Sequence, residues 1–91
     1  MKYIKLEWFH DIETEPNIIY SEINNQQYEV RKVEVYKGGV FIKCSEEMVD
    51  SQIELADVPF PLNLDEINED KQFLAKYISK EDFEKIWNKN D

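Results

Sequence analysis

One histidine, one cysteine, one arginine and twenty carboxylates are the groups from which any chemistry of this 91-residue chain would be built. His10 is the sole candidate for imidazole acid–base or nucleophilic catalysis, with Asp11 next to it. A catalytic dyad also needs a positioned nucleophile, and the sequence marks none. His10 reads more simply as a hydrogen-bonded residue at a strand end. Cys44 is in strand phase with Val40 and Ile42, the place of a small buried apolar side chain. A reactive thiol needs a nearby positive charge or a helix N-terminus, and Lys43 should face the other way. One His and one Cys do not make a zinc site. Asp65, Glu66, Glu69 and Asp70 lack the ligand spacing and glycine of a calcium loop. No phosphate-binding glycine loop and no Gly-x-Ser-x-Gly elbow is present. The residues point to no metal, no cofactor and no enzyme.

Arg31 stands alone against ten lysines. Arginine is favoured where a planar bidentate contact matters. The plain expectation is a cross-strand salt bridge, with Glu7, Glu22 or Glu29 as the partner. The sharper one is a polar cluster of Glu7, His10, Glu22, Arg31 and Glu34 near the outer face of a sheet, touching a ligand or partner.

The charge is concentrated elsewhere. Residues 44–70 carry Glu46, Glu47, Asp50, Glu54, Asp57, Asp65, Glu66, Glu69 and Asp70 and no Lys or Arg, so the formal charge of −9 lies in these 27 residues. The same stretch holds Met48, Val49, Ile53, Leu55, Val58, Phe60, Leu62, Leu64 and Ile67, too many apolar groups for a disordered acidic tail. It reads as an ordered acidic face over a core. Such a field attracts a cationic partner and repels nucleic acid phosphates and anionic membrane surfaces. Glu46, Glu47, Asp50, Glu54 and Asp57 are the expected partner-binding charges, with Phe60 or an exposed Tyr as anchor.

The elements that hold these groups follow from periodicity. Tyr3 to His10 alternates with period two, a half-buried strand. Residues 11–17 form a loop interrupted by Pro16 and Asn17. Ile18 to Ile23 is a second strand, Asn24-Asn25-Gln26 a hairpin turn, since Asn tolerates positive φ, and Tyr28 to Tyr36 a third strand. Val30 and Val33 are out of phase, which predicts a bulge or a strong twist near Arg31-Lys32. Lys37-Gly38-Gly39 is a tight turn and Val40 to Cys44 a fourth strand. A short fifth strand is expected at Gln52 to Leu55. Val58-Pro59-Phe60-Pro61 is extended. Asn63 and Glu66 suit a capping box for a short helix from Leu64 to Asn68. Phe73 to Ile78 reads as a strand. Ser79 and Asp82 make a second capping box, flanked by Ile78 and Phe83 as a hydrophobic staple. The helix it opens, to about Asn88, presents Phe83, Ile86 and Trp87 on one face.

Together these give one domain over residues 1–91 with an α+β fold. Its antiparallel meander of four to five strands carries a C-terminal helix packed on one face, preceded by a short helix. With a lone cysteine no intrachain disulfide forms, which suits a reducing compartment. No apolar run reaches the length of a signal peptide or a membrane span. A cytoplasmic location is expected.

Tyr3-Ile4-Lys5-Leu6-Glu7-Trp8 with His10, Ile19-Tyr20-Ser21-Glu22-Ile23, Tyr28-Glu29-Val30-Arg31-Lys32-Val33-Glu34 and Ile78-Ser79-Lys80-Glu81-Asp82-Phe83-Glu84-Lys85-Ile86-Trp87 resemble a family of small bacterial domains. The resemblance covers most of the chain and departs from it between Cys44 and Phe60. The family offers no catalytic motif. It is associated with toxin and immunity gene neighbourhoods. The resemblance therefore implies an immunity protein that occludes the active site of a cationic toxin domain, a nuclease, with its acidic surface. A variable acidic segment on a shared scaffold would suit partner-specific recognition. The alternatives are a non-catalytic binding or regulatory domain, and a small enzyme using His10 with Glu7 or Glu22.

Overall fold

The computed structural model describes residues 1–48 and 51–89. Five strands form one antiparallel sheet: β1 (Lys2–Trp8), β2 (Ile18–Ile23), β3 (Glu29–Val35), β4 (Phe41–Ser45) and β5 (Phe73–Ile78), in the order β4-β3-β2-β1-β5. A short helix, α1 (Asp65–Asn68), precedes β5, and α2 (Lys80–Trp87) follows it. The fold is α+β as expected. The first four strands make the meander, and β5 returns to pair with β1.

The turns follow local chemistry. Between β2 and β3, the Asn24 side-chain oxygen accepts from the backbone N–H groups of Gln26 and Tyr28, both at 3.0 Å. The positive φ falls on Gln27 (72°) and not on an asparagine. Asn24 therefore works through its side chain, as an Asx turn. Between β3 and β4, Lys37–Gly39 forms a 3₁₀ turn with Gly38 at φ 85° and Gly39 at φ 86°, angles that a side chain disfavours.

The two sheet faces have different covers. Tyr3, Glu22, Arg31 and Val33 share one face by register, and α2 lies across it. The Ser79 hydroxyl caps α2 by accepting from Asp82 N–H at 3.1 Å. Phe83 is fully buried, its ring 5.4 Å from Tyr3, and burial of such a ring stabilises by about 1.5–3 kcal/mol. On the other face Ile4, Ile23 and Ala75 form a core with Leu64, against which Leu6, Phe60 and Ile67 pack. The cover here is the acidic segment with α1.

Two local expectations are corrected. Residues 52–55 form no strand. The Ser51 hydroxyl donates to the Lys43 carbonyl at 2.8 Å, and Ala56 N–H donates to the Glu29 carboxylate at 2.8 Å. The segment thus crosses the sheet on side-chain contacts and does not extend it. The Glu66 arm of the first capping box is also absent. Asn63 Oδ1 accepts from Asp65 N–H at 2.9 Å, while Glu66 is exposed.

Candidate partner-binding site

The acidic segment leaves the sheet at one edge and returns at the other. After Ser51 on β4 and Ala56 on β3, Phe60 N–H donates to the Gln27 carbonyl at 2.8 Å, at the β2–β3 turn. Past α1 it reaches β5, where the Asn68 amide pairs with the Ala75 backbone. Its Oδ1 accepts from Ala75 N–H at 2.6 Å, and its Nδ2 donates to Ala75 C=O at 3.0 Å. A side chain thus takes the place a further strand would occupy, which blunts an edge open to pairing.

Glu46, Glu47, Glu54, Asp57, Asp65, Glu66, Glu69 and Asp70 are all exposed. None of the eight forms an ion pair among the described residues. Asp50 lies outside the described residues. Glu46 and Glu47 follow β4 and border an open depression of about 380 Å³ shared with Glu22, Arg31 and Trp87. Phe60 does not project as an interface anchor. It is half-buried against the core, and the exposed apolar groups near it are Val58 and Leu62.

The second expected site, a cluster of Glu7, His10, Glu22, Arg31 and Glu34, is divided by the sheet. Arg31 and Glu22 do meet: Arg31 Nε and Nη2 donate to the two Glu22 oxygens at 2.6 and 3.0 Å. Nη2 also donates to Glu84 of α2 at 2.5 Å. The guanidinium lies 4.9 Å from the ring centres of both Phe83 and Trp87, within cation–π range. The Arg31 hydrogen bonds hold the Glu22 carboxyl below the usual glutamate range, and the bond to Glu22 raises the Arg31 pKa. Tyr3 is pushed up by burial and then by the Glu22 carboxylate.

The other members lie elsewhere. Glu34 is three residues from Arg31, and odd spacing on a strand reverses the face. It pairs with Lys32 at 3.2 Å and accepts from the Tyr36 hydroxyl at 2.6 Å. Burial, then the Glu34 contact, pushes the Tyr36 phenol up to about 12. Glu7 pairs with Lys5 at 3.8 Å. His10 holds the 9–17 loop: Ile12 N–H donates to Nδ1 at 2.9 Å, and Nε2 lies 2.7 Å from the Pro16 carbonyl. Those partners require the tautomer with its proton on Nε2 and occupy both ring nitrogens. Glu7 and His10 border one open depression of about 430 Å³, which Glu22 does not reach.

A buried polar network lies under the acidic segment, between residues too far apart in the chain for local spacing to signal it. The Glu29 carboxylate accepts from the Ser21 hydroxyl at 2.6 Å and from Ala56 N–H at 2.8 Å, and Lys32 Nζ stands 3.7 Å away. The Glu29 side chain is 2% exposed, so each of these partners matters for its solvation. Glu29 anchors the acidic segment to the sheet.

Among the described residues no three His, Cys, Asp or Glu side chains converge as a metal site. Nor is any helix among them long and apolar enough to cross a membrane. The arrangement carries eight exposed carboxylates along a segment that is tied to the sheet through Ser51, Ala56, Phe60 and Asn68. Residues 2–91 match the family described as a domain of unknown function, DUF6881, and the chain belongs to it. No curated protein and no solved structure matches.

Proposed function

We propose that this member of the DUF6881 family is a non-catalytic binding protein that engages a basic protein through its acidic segment. Within that class we assign it the role of an immunity protein, which neutralises a cationic toxin domain, a nuclease, by covering its active site. The observation that carries the reading is the set of eight exposed carboxylates with no ion pair among the described residues. Evenly solvated small proteins interleave their charges; here a field of one sign is left free for a partner. Such a field speeds encounter by ~10–10³ fold and fades with salt. Charge pairs that become buried on docking can add several kcal/mol. The resemblance to small domains found beside toxin genes supports the finer role.

The test is co-expression with the product of the adjacent upstream gene, which the reading expects to encode a basic toxin domain. The expected result is a complex whose association rate falls steeply with salt. In a variant carrying Glu46→Gln, Glu47→Gln, Glu54→Gln and Asp57→Asn, that rate falls about tenfold or more, and protection against the toxin weakens. Unchanged association in that variant, or no complex with a basic neighbour, would sink the reading.

A further inference from the structure

We infer that the docking surface is centred on an apolar pair, Val58 and Leu62 with the Tyr77 ring beside Leu62, and that its occupant is a basic protein presenting an apolar pocket rimmed by lysine or arginine. The inference rests on the acidic segment being the docking surface. Val58 and Leu62 are 65% and 76% exposed, while Phe60 between them and Leu64 after them face the core. Scattered exposed aliphatic groups need no explanation. These two are held in place by what surrounds them. Pro59 and Pro61 fix φ on either side of Phe60. Phe60 N–H donates to the Gln27 carbonyl at 2.8 Å, Gln27 Nε2 to the Pro61 carbonyl at 3.4 Å, and the Tyr77 hydroxyl to the Leu62 carbonyl at 3.4 Å. Four residues of extended chain span at most about 14 Å, so both side chains fit within one interface of ordinary size.

Their rim names the partner. Asp57 adjoins Val58, and Asp65 and Glu66 follow Leu62 closely; all three are exposed and unpaired among the described residues. An apolar centre with a charged rim is the usual anatomy of a specific interface. Because the backbone between the two anchors is held by Pro59, Pro61 and the Gln27 contacts, docking need order little further chain. The carboxylates would select a basic partner and speed its approach, and the aliphatic pair would slow its departure.

The probes are two synthetic peptides of equal positive charge, an amphipathic Leu/Lys peptide and a Ser/Lys peptide without apolar residues. Both are titrated against the full chain at low and high salt and followed by backbone NMR. The Leu/Lys peptide should bind at least about tenfold more tightly, perturb residues 57–66 and Tyr77, and keep that advantage at high salt, where the charge term is screened. Val58→Ser with Leu62→Ser should abolish the advantage and leave Ser/Lys binding unchanged. Both side chains are exposed, so the fold should survive, as unchanged resonances of Phe83 and Ile4 would report. Equal binding of the two peptides, or an advantage that survives the double substitution, overturns the apolar centre while leaving acidic docking intact. If neither peptide perturbs residues 46–70, acidic docking fails and the inference fails with it.

Discussion

Glu29 and Arg31, two residues apart on β3, point to opposite faces of the sheet. Glu22 pairs with Arg31 and Ile23 with Glu29, so Val30 is an extra residue in the ladder, a bulge. Were Val30 paired in a regular ladder, the two charges would share a face and compete for the same partners. With the bulge, Arg31 joins Glu22 and Glu84 beneath α2, while Glu29 receives Ser21 and Ala56 beneath the acidic segment. The bulge therefore lets two residues at i and i+2 of one strand anchor the two covers of the sheet. Deleting Val30 would make the two charged residues neighbours, which on a regular strand still face opposite ways, so it should erase the bulge and keep the pairs Glu22 with Arg31 and Ile23 with Glu29. The expected result is a chain that still unfolds cooperatively in urea, measured by circular dichroism; loss of cooperativity would show that the bulge itself is required.

Glu29→Ala tests the anchor of the acidic segment. It strands the Ser21 hydroxyl and the Ala56 N–H and leaves Lys32 with Glu34 alone. Unpaired buried groups cost about 1–3 kcal/mol each, so a loss of about 2–4 kcal/mol in urea unfolding is expected. Limited proteolysis should then cut between residues 46 and 60 before the sheet unfolds. Glu29→Gln keeps an acceptor and should lose less.

Arg31 tests the other cover. Its side chain is 21% exposed, and its removal leaves Glu22, 10% exposed, without its counter-ion. Breaking a buried pair costs about 3–5 kcal/mol; partial exposure lowers the expectation for Arg31→Ala to about 2–4 kcal/mol. Arg31→Lys keeps the charge but not the fork that holds Glu22 and Glu84 together. It should recover less than half of the loss, read from urea midpoints.

The pKa shifts set both ends of the pH profile. Glu22 is lowered in the fold by Arg31, so its contribution is present above the ordinary glutamate value of 4.5 and is lost as pH falls below that through the folded value. Tyr36 is raised to about 12 from 10.0, so the folded state holds its proton more tightly. Its contribution is full below pH 10 and is lost as pH rises from 10 towards 12. Tyr36→Phe should flatten the decline of stability in that alkaline window, and a tyrosinate absorbance titration should lose its latest step. An unchanged alkaline profile would refute the assignment.

Residues that act through near neighbours were legible. The alternation of β1 and β2, the two glycines after Lys37 and the Ser79 cap before Phe83 each lie within a few positions of what they govern. The phase break between Val30 and Val33 disclosed a bulge but placed it one residue too late, because hydrophobic period alone does not name the extra residue. Other partnerships depend on which strands lie side by side: Arg31 with Glu84 spans 53 positions, and Glu29 with Ala56 spans 27. The grouping of Glu34 with Arg31 ignored strand parity. The false strand at 52–55 took β-prone residues as sufficient, although a strand also needs a free edge, and Ser51 occupies the Lys43 carbonyl on that side.

Asn68 makes a separate prediction about assembly. The β5 edge would expose the Ala75 N–H and C=O, and the Asn68 amide satisfies both. Ala75 is itself 4% exposed and part of the core, so these backbone groups have little water to fall back on. Asn68→Ala should cost about 1–3 kcal/mol and leave an unpaired strand edge that a second chain can match. Asn68→Asp keeps the acceptor for Ala75 N–H but sets a carboxylate against the Ala75 carbonyl, so it should destabilise at least as much. The two variants separate the effects. The alanine form should show concentration-dependent self-association in sedimentation velocity, whereas the added charge should keep the aspartate form monomeric. If the alanine variant sediments as the parent does at every concentration, Asn68 stabilises the fold without guarding the edge.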